Sequence, residues 1–320
     1  MGSASSQERL TASGFHAISR HERQKLRQHR QTSIGDFERV MTNVADEKEM
    51  MLPTVKTVSL EALICDASGH GNLRHQYLVK EIPVTIFLND RELVTLLCTG
   101  HHLDELAVGF LRAEGFLESR KDLESLRIDE DTGAVRIASS LDASLVEHLW
   151  QKRTITSGCG KGTVFYHAID ALLATPVSSD VHITPAQVWE RMQDLHRLSQ
   201  TYRDTHGVHN TALATPEQIL LFRDDIGRHN AVDMIIGHAF LHDLRLDDKA
   251  LITTGRLTSE ILIKAAKVGL SVIISRNTAT SLAVELATAL NVTLIGYVRN
   301  GKSTVYSGLD RVACSVSGEG

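Results

Sequence analysis

The sequence predicts an α/β protein: a mixed, largely parallel sheet with helical crossovers, preceded by a smaller α+β part. Three observations carry that expectation. From residue 209 onward, short apolar runs alternate with amphipathic stretches about a dozen residues long, the rhythm of β-α-β units. Helix punctuation is legible: Thr184 precedes Pro185 at one start, and Gly269 follows KAAKV at one end. The third observation is what ends the apolar runs. Thr253-Thr254-Gly255-Arg256, Ser275-Arg276-Asn277 and Arg299-Asn300-Gly301-Lys302 place hydroxyls, glycines and cations where parallel sheets bind ligands.

Taken in chain order, residues 1–50 are polar and rich in His, Arg, Gln and Ser, and read as a flexible arm. Residues 51–150 form the α+β part. VKTVSLEALIC, YLVKEIPVTIFLND and RELVTLLCT alternate apolar and polar side chains as strands do. Residues 102–117 carry Leu103, Leu106, Ala107, Phe110 and Leu111 at helical spacing, with Asp104 and Glu105 in the first turn, where the helix dipole favours negative charge. SLRIDEDTGAVRIAS predicts a hairpin about Asp131–Gly133, and SLVEHLWQ a short element before the next loop. Residues 151–320 form the α/β core. There GTVFYHAIDALLA and residues 184–205 read as helices, the second as one continuous helix. HNTALAT and QILLFRDD read as strands, HNAVDMIIGHAFLHD as a helix, and strands and helices alternate to a last strand at STVYSG.

Composition excludes several classes. Hydrophobic residues at 42% and charged residues at 23% are the balance of a globular chain. A net charge of −5 offers no bulk attraction to nucleic acid. No apolar run approaches a membrane span, and the first residues lack the apolar core of a secretory signal, so a cytoplasmic protein touching neither membrane nor nucleic acid is expected. Cys65, Cys98, Cys159 and Cys314 are far apart and unpaired in spacing, against a disulfide scaffold or zinc ribbon. With H-E-x-x-H and the zinc-deaminase signature also missing, no metal is expected.

Cys159 stands out. In TITSGCGKGTVF, Gly158 and Gly160 leave the sulfur uncrowded and Lys161 favours the nucleophilic thiolate. A reactive thiol and an idle loop cysteine fit that stretch equally well. His206 and His209 suit proton transfer or phosphate binding, but a hydrogen-bonded turn explains them slightly better. Arg223, Asp224, Asp225, Arg228, His229, Asn230 and Asp233 fit internal ion pairs and ligand contact alike. Arg256, Ser259, Arg276, Thr280, Ser281, Arg299 and Lys302 recur at successive strand ends, which favours an anion pocket over surface salt bridges.

The ordered series CTGHHLDELAVGFLRAEGF, TSGCGKG, THGVHNTAL, FRDDIGRHNAVD, LITTGRLTSEILIKAAKVGLSVIISR, TSLAVELA and LIGYVRNGKSTVY resembles the formate dehydrogenase accessory sulfurtransferases, the FdhD family, over about residues 55–307. The resemblance implies a cytoplasmic homodimer with a cytidine-deaminase-like core that has lost its zinc site. It implies a sulfurtransferase that takes persulfide sulfur from a cysteine desulfurase. That sulfur goes to the molybdenum bis-guanine-dinucleotide cofactor (Mo-bisMGD), bound as substrate, which formate dehydrogenase needs. The family's persulfide cysteine falls on Cys159, and its cofactor-binding segment on Tyr297, Val298, Arg299, Asn300, Gly301 and Lys302. Many members carry a second cysteine three places after the first; here Gly160, Lys161 and Gly162 follow Cys159, which puts a two-thiol relay in doubt. Two rival readings are a cofactor chaperone that transfers no sulfur and a nucleotide hydrolase or deaminase on the same scaffold; the missing metal ligands weigh against the second.

Overall fold

The computed structural model describes residues 56–140, 153–154, 162–163 and 176–315. The expected arm, the SLVEHLWQ element, Cys159 with residues 155–161, and all but the first two residues of the expected 162–174 helix lie outside them.

Strands β1 (Thr57–Cys65) and β2 (Gly71–Val79) pair antiparallel as a hairpin. Strands β3 (Ile82–Leu88), β4 (Arg91–Cys98), β5 (Leu123–Asp129) and β6 (Ala134–Ser139) form a four-stranded sheet in the order β4-β3-β6-β5, with β3 and β6 parallel. YLVKEIPVTIFLND is therefore two strands, because β2 pairs with β1 up to Val79 while β3 pairs with β4. Helix α1 (Leu103–Glu114) follows β4, ended by Gly115 in the left-handed conformation. It lays Leu103, Leu106, Ala107 and Leu111 on Ile86, Leu88, Val135 and Ile137 of that sheet.

Two-residue strands β7 (Arg153–Thr154) and β8 (Gly162–Thr163) pair antiparallel. Next come helices α2 (Pro185–Leu198) and α3 (Gln200–Thr205), strands β9 (His209–Ala214) and β10 (Ile219–Asp225), and helix α4 (Arg228–Leu241). Strands β11 (Ala250–Thr253), β12 (Val272–Ser275) and β13 (Thr293–Arg299) alternate with helices α5 (Ser259–Lys267) and α6 (Ser281–Ala289), and β14 (Lys302–Ser307) closes the sheet. The six-stranded order is β10-β9-β11-β12-β13-β14. Strands β11, β12 and β13 run parallel, joined by α5 and α6, while β9, β10 and β14 add antiparallel edges. The sheet is mixed and its crossovers are helical, as the alternation predicts.

Side chains alternate across the strands. Leu213, Leu251, Ile273 and Leu294 pack with α4, α5 and α6. Ala212, Ile252, Ile274 and Ile295 are buried on the other face, where α2 turns in Val188, Met192 and Leu195. The expected single helix over 184–205 breaks at Ser199, whose hydroxyl caps the Tyr202 amide and donates to Asn210 Oδ1 at 2.9 Å. A buried partner on β9 thus overrides an unbroken helical pattern.

Helix α4 is buried from Ala231 to Gly237, as befits a helix enclosed by both sheets' cores. It crosses α1 at Gly109 and Gly237. A Cβ built on Gly109 would lie 1.7 Å from the Asp233 carbonyl oxygen, and one on Gly237 would lie 1.9 Å from that of Glu105. The backbones touch there. Either Gly109→Ala or Gly237→Ala must push the helices apart, and each is expected to cost about 3 kcal/mol or more. Urea unfolding of the two variants beside wild type measures this; an unchanged midpoint would refute the close crossing.

Candidate functional site

The three parallel strands end on one edge, and short hydrogen bonds tie their ends together. Asn210 donates its amide to Thr254 Oγ1 at 3.0 Å, and Thr254 returns its amide to the Asn210 carbonyl at 2.9 Å. Asn277 Nδ2 donates to the Thr254 carbonyl at 3.2 Å, and the Tyr297 amide donates to the Asn277 carbonyl at 2.9 Å. Ser275 Oγ, buried, donates to the Gly255 carbonyl and accepts from the Asn277 amide. The rim is thus a continuous hydrogen-bonded seam from β9 to β13.

The expected cofactor segment lies at the β13–β14 turn. Asn300 and Gly301 both have positive φ (51° and 72°), the geometry of a two-residue hairpin turn in which glycine is at ease. Tyr297 also has positive φ (54°), at a register shift between Gly296 and Arg299. Its ring is 52% exposed, so an aromatic face is presented by a backbone held in an uncommon conformation. Gly296 permits this, because a Cβ there would meet the Asn277 carbonyl oxygen at 2.8 Å. Arg299 lies over the Tyr297 ring at 4.9 Å and donates Nε to the Arg276 carbonyl at 3.2 Å. Val298 points inward and is buried.

Some cations of this protein have carboxylate partners and others do not. Arg191, Arg197, Arg223, Arg245, Lys249 and Lys264 each pair with a carboxylate. Among the described residues, Arg256, Arg276, Arg299 and Lys302 pair with none. Arg276 uses only Nη1 and Arg299 only Nε, which leaves outward-facing donors. Neighbouring strands lie about 4.8 Å apart, so consecutive strand ends fall within the span of a phosphate chain. Ser259 and Ser281 open α5 and α6, and Thr280 caps α6 without a side-chain cap bond, so backbone donors face the same edge. This set of sequence-predicted residues is brought together.

The FRDDIGRHNAVD residues separate into two groups. Arg223 makes a two-armed pair with buried Glu105, joined by His238 at 2.8 Å. Burial raises the Glu105 pKa, but the hydrogen bonds of Arg223 and His238 outweigh it and hold the carboxyl at about 2. Asp225 accepts from Thr99, Gly227 and Asn230, and Asp233 from Lys264 at 2.7 Å through both oxygens. Burial opposes charge on Lys264, but Asp233 and then Glu114 overcome it and raise its pKa. These groups serve the fold. Arg228 lies against Gly255 and close to His209, whose pKa is lowered by burial first and by the charge of Arg228 next. His209 therefore borders the cationic edge as a neutral imidazole. His206 is a left-handed helix cap stacked edge-on with Tyr202, the turn role its sequence favours.

Of the described thiols, Cys65 and Cys314 are exposed and Cys98 is buried. Burial, then the charge of Asp225, pushes Cys98 up to about 12, which removes it as a nucleophile. Sequence reasoning missed one rim residue, His196 of α2, whose Nε2 lies 2.6 Å from Arg276 Nη1. In sequence it reads only as a cation in a helix's last turn.

The fold is thus a mixed α/β sheet with helical crossovers that presents cations at its strand ends. The model of the FdhD/NarQ family matches residues 79–313, and the chain belongs to that family, a family of sulfur carrier proteins. The sulfur carrier protein FdhD of Bacillus subtilis (strain 168) is 43% identical over 235 residues, covering 73% of this chain and 90% of its own. That of Listeria innocua is 42% identical over 234 residues, covering 72% and 90%. The crystal structure of a protein from Desulfotalea psychrophila, described as a formate dehydrogenase accessory protein, shares the fold. Its TM-score is 0.65 at 22% identity, covering 80% of this chain and 99% of that one.

Asp224, beside Asp225 at the β10 end, makes the site's electrostatics testable. Burial pushes its pKa from 3.8 up to about 6, against a hydrogen bond from Thr201 and with help from Asp225. A carboxyl raised on folding binds its proton more tightly in the native state, so its contribution to stability falls as pH rises from about 4 to about 6. Asp224→Asn is expected to be more stable than wild type at neutral pH by about 2–3 kcal/mol, with the gain gone below about pH 4. Urea midpoints across that range decide it; a pH-independent difference would contradict the assignment.

Proposed function

We propose that this chain is a sulfurtransferase that carries persulfide sulfur to Mo-bisMGD. The Cys159 thiolate attacks the outer sulfur of a persulfide offered by a cysteine desulfurase. The donor's S–S bond breaks, the donor leaves as thiolate, and Cys159 becomes the persulfide. The cofactor's guanine dinucleotide arms lie along the strand-end rim, their phosphates against Arg299, Lys302 and Arg276 and a base against Tyr297. The S–S bond of the Cys159 persulfide then breaks as its outer sulfur bonds to the molybdenum of the substrate, which supplies the two electrons that take that sulfur from sulfane to sulfide; Cys159 leaves as thiolate, and the sulfurated cofactor serves formate dehydrogenase. The same reading takes the protein as a cytoplasmic homodimer.

One observation supports the reading above all: Arg256, Arg276, Arg299 and Lys302 gather at the ends of neighbouring strands, and among the described residues none of them has a carboxylate partner. Clustered like charges raise the local positive potential, which attracts an anionic ligand. Family membership and the names of the relatives support the sulfur half of the proposal. The pairing of Arg153–Thr154 with Gly162–Thr163 on either side of the Cys159 segment supports a loop closed at its base.

Three predictions test it. After incubation with a cysteine desulfurase and cysteine, Cys159 is expected to gain the mass of one sulfur atom, reversible by reductant. Cys159→Ala is expected to fail to restore formate dehydrogenase activity in a strain lacking this protein. A variant that restores full activity would leave only the chaperone reading. For the rim, Lys302→Ala or Arg299→Ala is expected to weaken GDP binding about tenfold, with a loss that shrinks at high salt. Calorimetric titration measures it, and unchanged affinity in both variants would sink the rim as the nucleotide site.

A further inference from the structure

The rim has a wall that no strand supplies. Helix α2 ends beside β12, and its last turn is held from several sides. Arg203 of α3 donates Nη1 to the carbonyls of His196 and Arg197, at 3.1 and 2.6 Å, and so closes the open end of α2 with a cation where the helix dipole favours one. Ser199, at the break between α2 and α3, is tied to Asn210, and Asn210 is tied through Thr254 and Asn277 to Tyr297. The helix break that the sequence does not announce is thus the first link of the seam that runs along the rim.

His196 projects from this held turn, half-buried, with Nε2 2.6 Å from Arg276 Nη1. A guanidinium only donates, so at this contact the imidazole nitrogen accepts and is unprotonated. Burial, then the charge of Arg276, lowers the His196 pKa, which agrees with that state. Arg276 in turn offers its carbonyl to Arg299 Nε. Two of the rim's cations are therefore linked in series to one helix, and the remaining Arg276 nitrogens, Nε and Nη2, have no protein partner among the described residues. Arginine's long side chain loses much rotamer freedom when it binds a phosphate. One already held at Nη1 loses less.

We propose that His196 is a positioning residue for anion binding: it fixes the Arg276 guanidinium in the orientation that meets a phosphate group at the strand-end rim. This rests on the nucleotide-site reading above and adds to it the element that sets the arginine's direction. His196 does not touch the ligand; it acts through Arg276.

The test is calorimetric titration of the full chain with GDP at neutral pH. His196→Ala, which leaves Arg276 unsupported, is expected to bind about fivefold more weakly. His196→Gln, whose Oε1 can accept at the place of Nε2, is expected to stay within about twofold of wild type. In an Arg276→Ala background the His196→Ala change is expected to have no further effect, because the two act as one unit. Thermal midpoints of all variants separate loss of binding from loss of folding, and the glutamine variant gives the answer should alanine unfold the turn. If Lys302→Ala weakens GDP binding while His196→Ala does not, or if His196→Ala adds its full effect without Arg276, the positioning role is overturned and the site stands. If neither Lys302→Ala nor Arg299→Ala changes GDP affinity, the site itself is overturned and the role of His196 falls with it.

Discussion

The contact between α1 and α4 at Gly109 and Gly237 is the constraint on which the rest of this structure depends. Two helices whose backbones touch leave no room for side chains between them, so their relative placement is fixed by sterics rather than by adjustable packing. Helix α1 belongs to the core of the four-stranded sheet, and α4 belongs mainly to the core of the six-stranded sheet. The glycine crossing is therefore where two separate hydrophobic cores are locked together. Met234 of α4 already sits in the core of the smaller sheet, one turn from the crossing.

Buried charge brackets that contact. On one side Glu105 of α1 holds Arg223 of β10 and His238 of α4; on the other Asp233 of α4 holds Lys264 of α5, with Glu114 of α1 at 4.0 Å. Each cluster joins elements from both cores. Pairs of this kind add little net stability, because desolvation offsets attraction, but removing one partner leaves a buried charge uncompensated. They therefore specify which helix meets which. The N-terminus of α4, fixed in this way, carries Arg228 and His229 to the edge where β11 ends.

Two uses of charge are thus separated in space. Between the cores, Arg223 and Lys264 are matched to carboxylates, and that matching fixes which elements meet. At the carboxyl ends of β11, β12 and β13 the cations are held by neutral groups instead: Arg276 by an imidazole, Arg299 by a carbonyl and a ring. Neutral acceptors orient a guanidinium without cancelling its charge, so the rim keeps its attraction for an anion. The seam of Asn210, Thr254, Asn277 and Tyr297 does the same for the backbone, since every link uses an uncharged group.

By itself the sequence determined the alternation of strands and helices, the parallel run of β11 to β13, and the strand-end residues from Arg256 to Lys302. These are written locally: apolar period, Thr-Pro and glycine boundaries, and cations placed just after apolar runs each act over a few residues. The resemblance of ordered motifs added the family. Only the tertiary structure decided what depends on contacts between distant segments. Ser199 breaks a helix because Asn210 lies beside it. Arg223, Asp225 and Asp233 are internal because Glu105, Thr99 and Lys264 meet them. Arg276 and Lys302 have no carboxylate within ion-pair distance among the described residues, which no local pattern announces. Sequence offers charged residues of one kind; whether a charge is spent on the fold or left for a ligand is set by its neighbours in space, and those come from elsewhere in the chain.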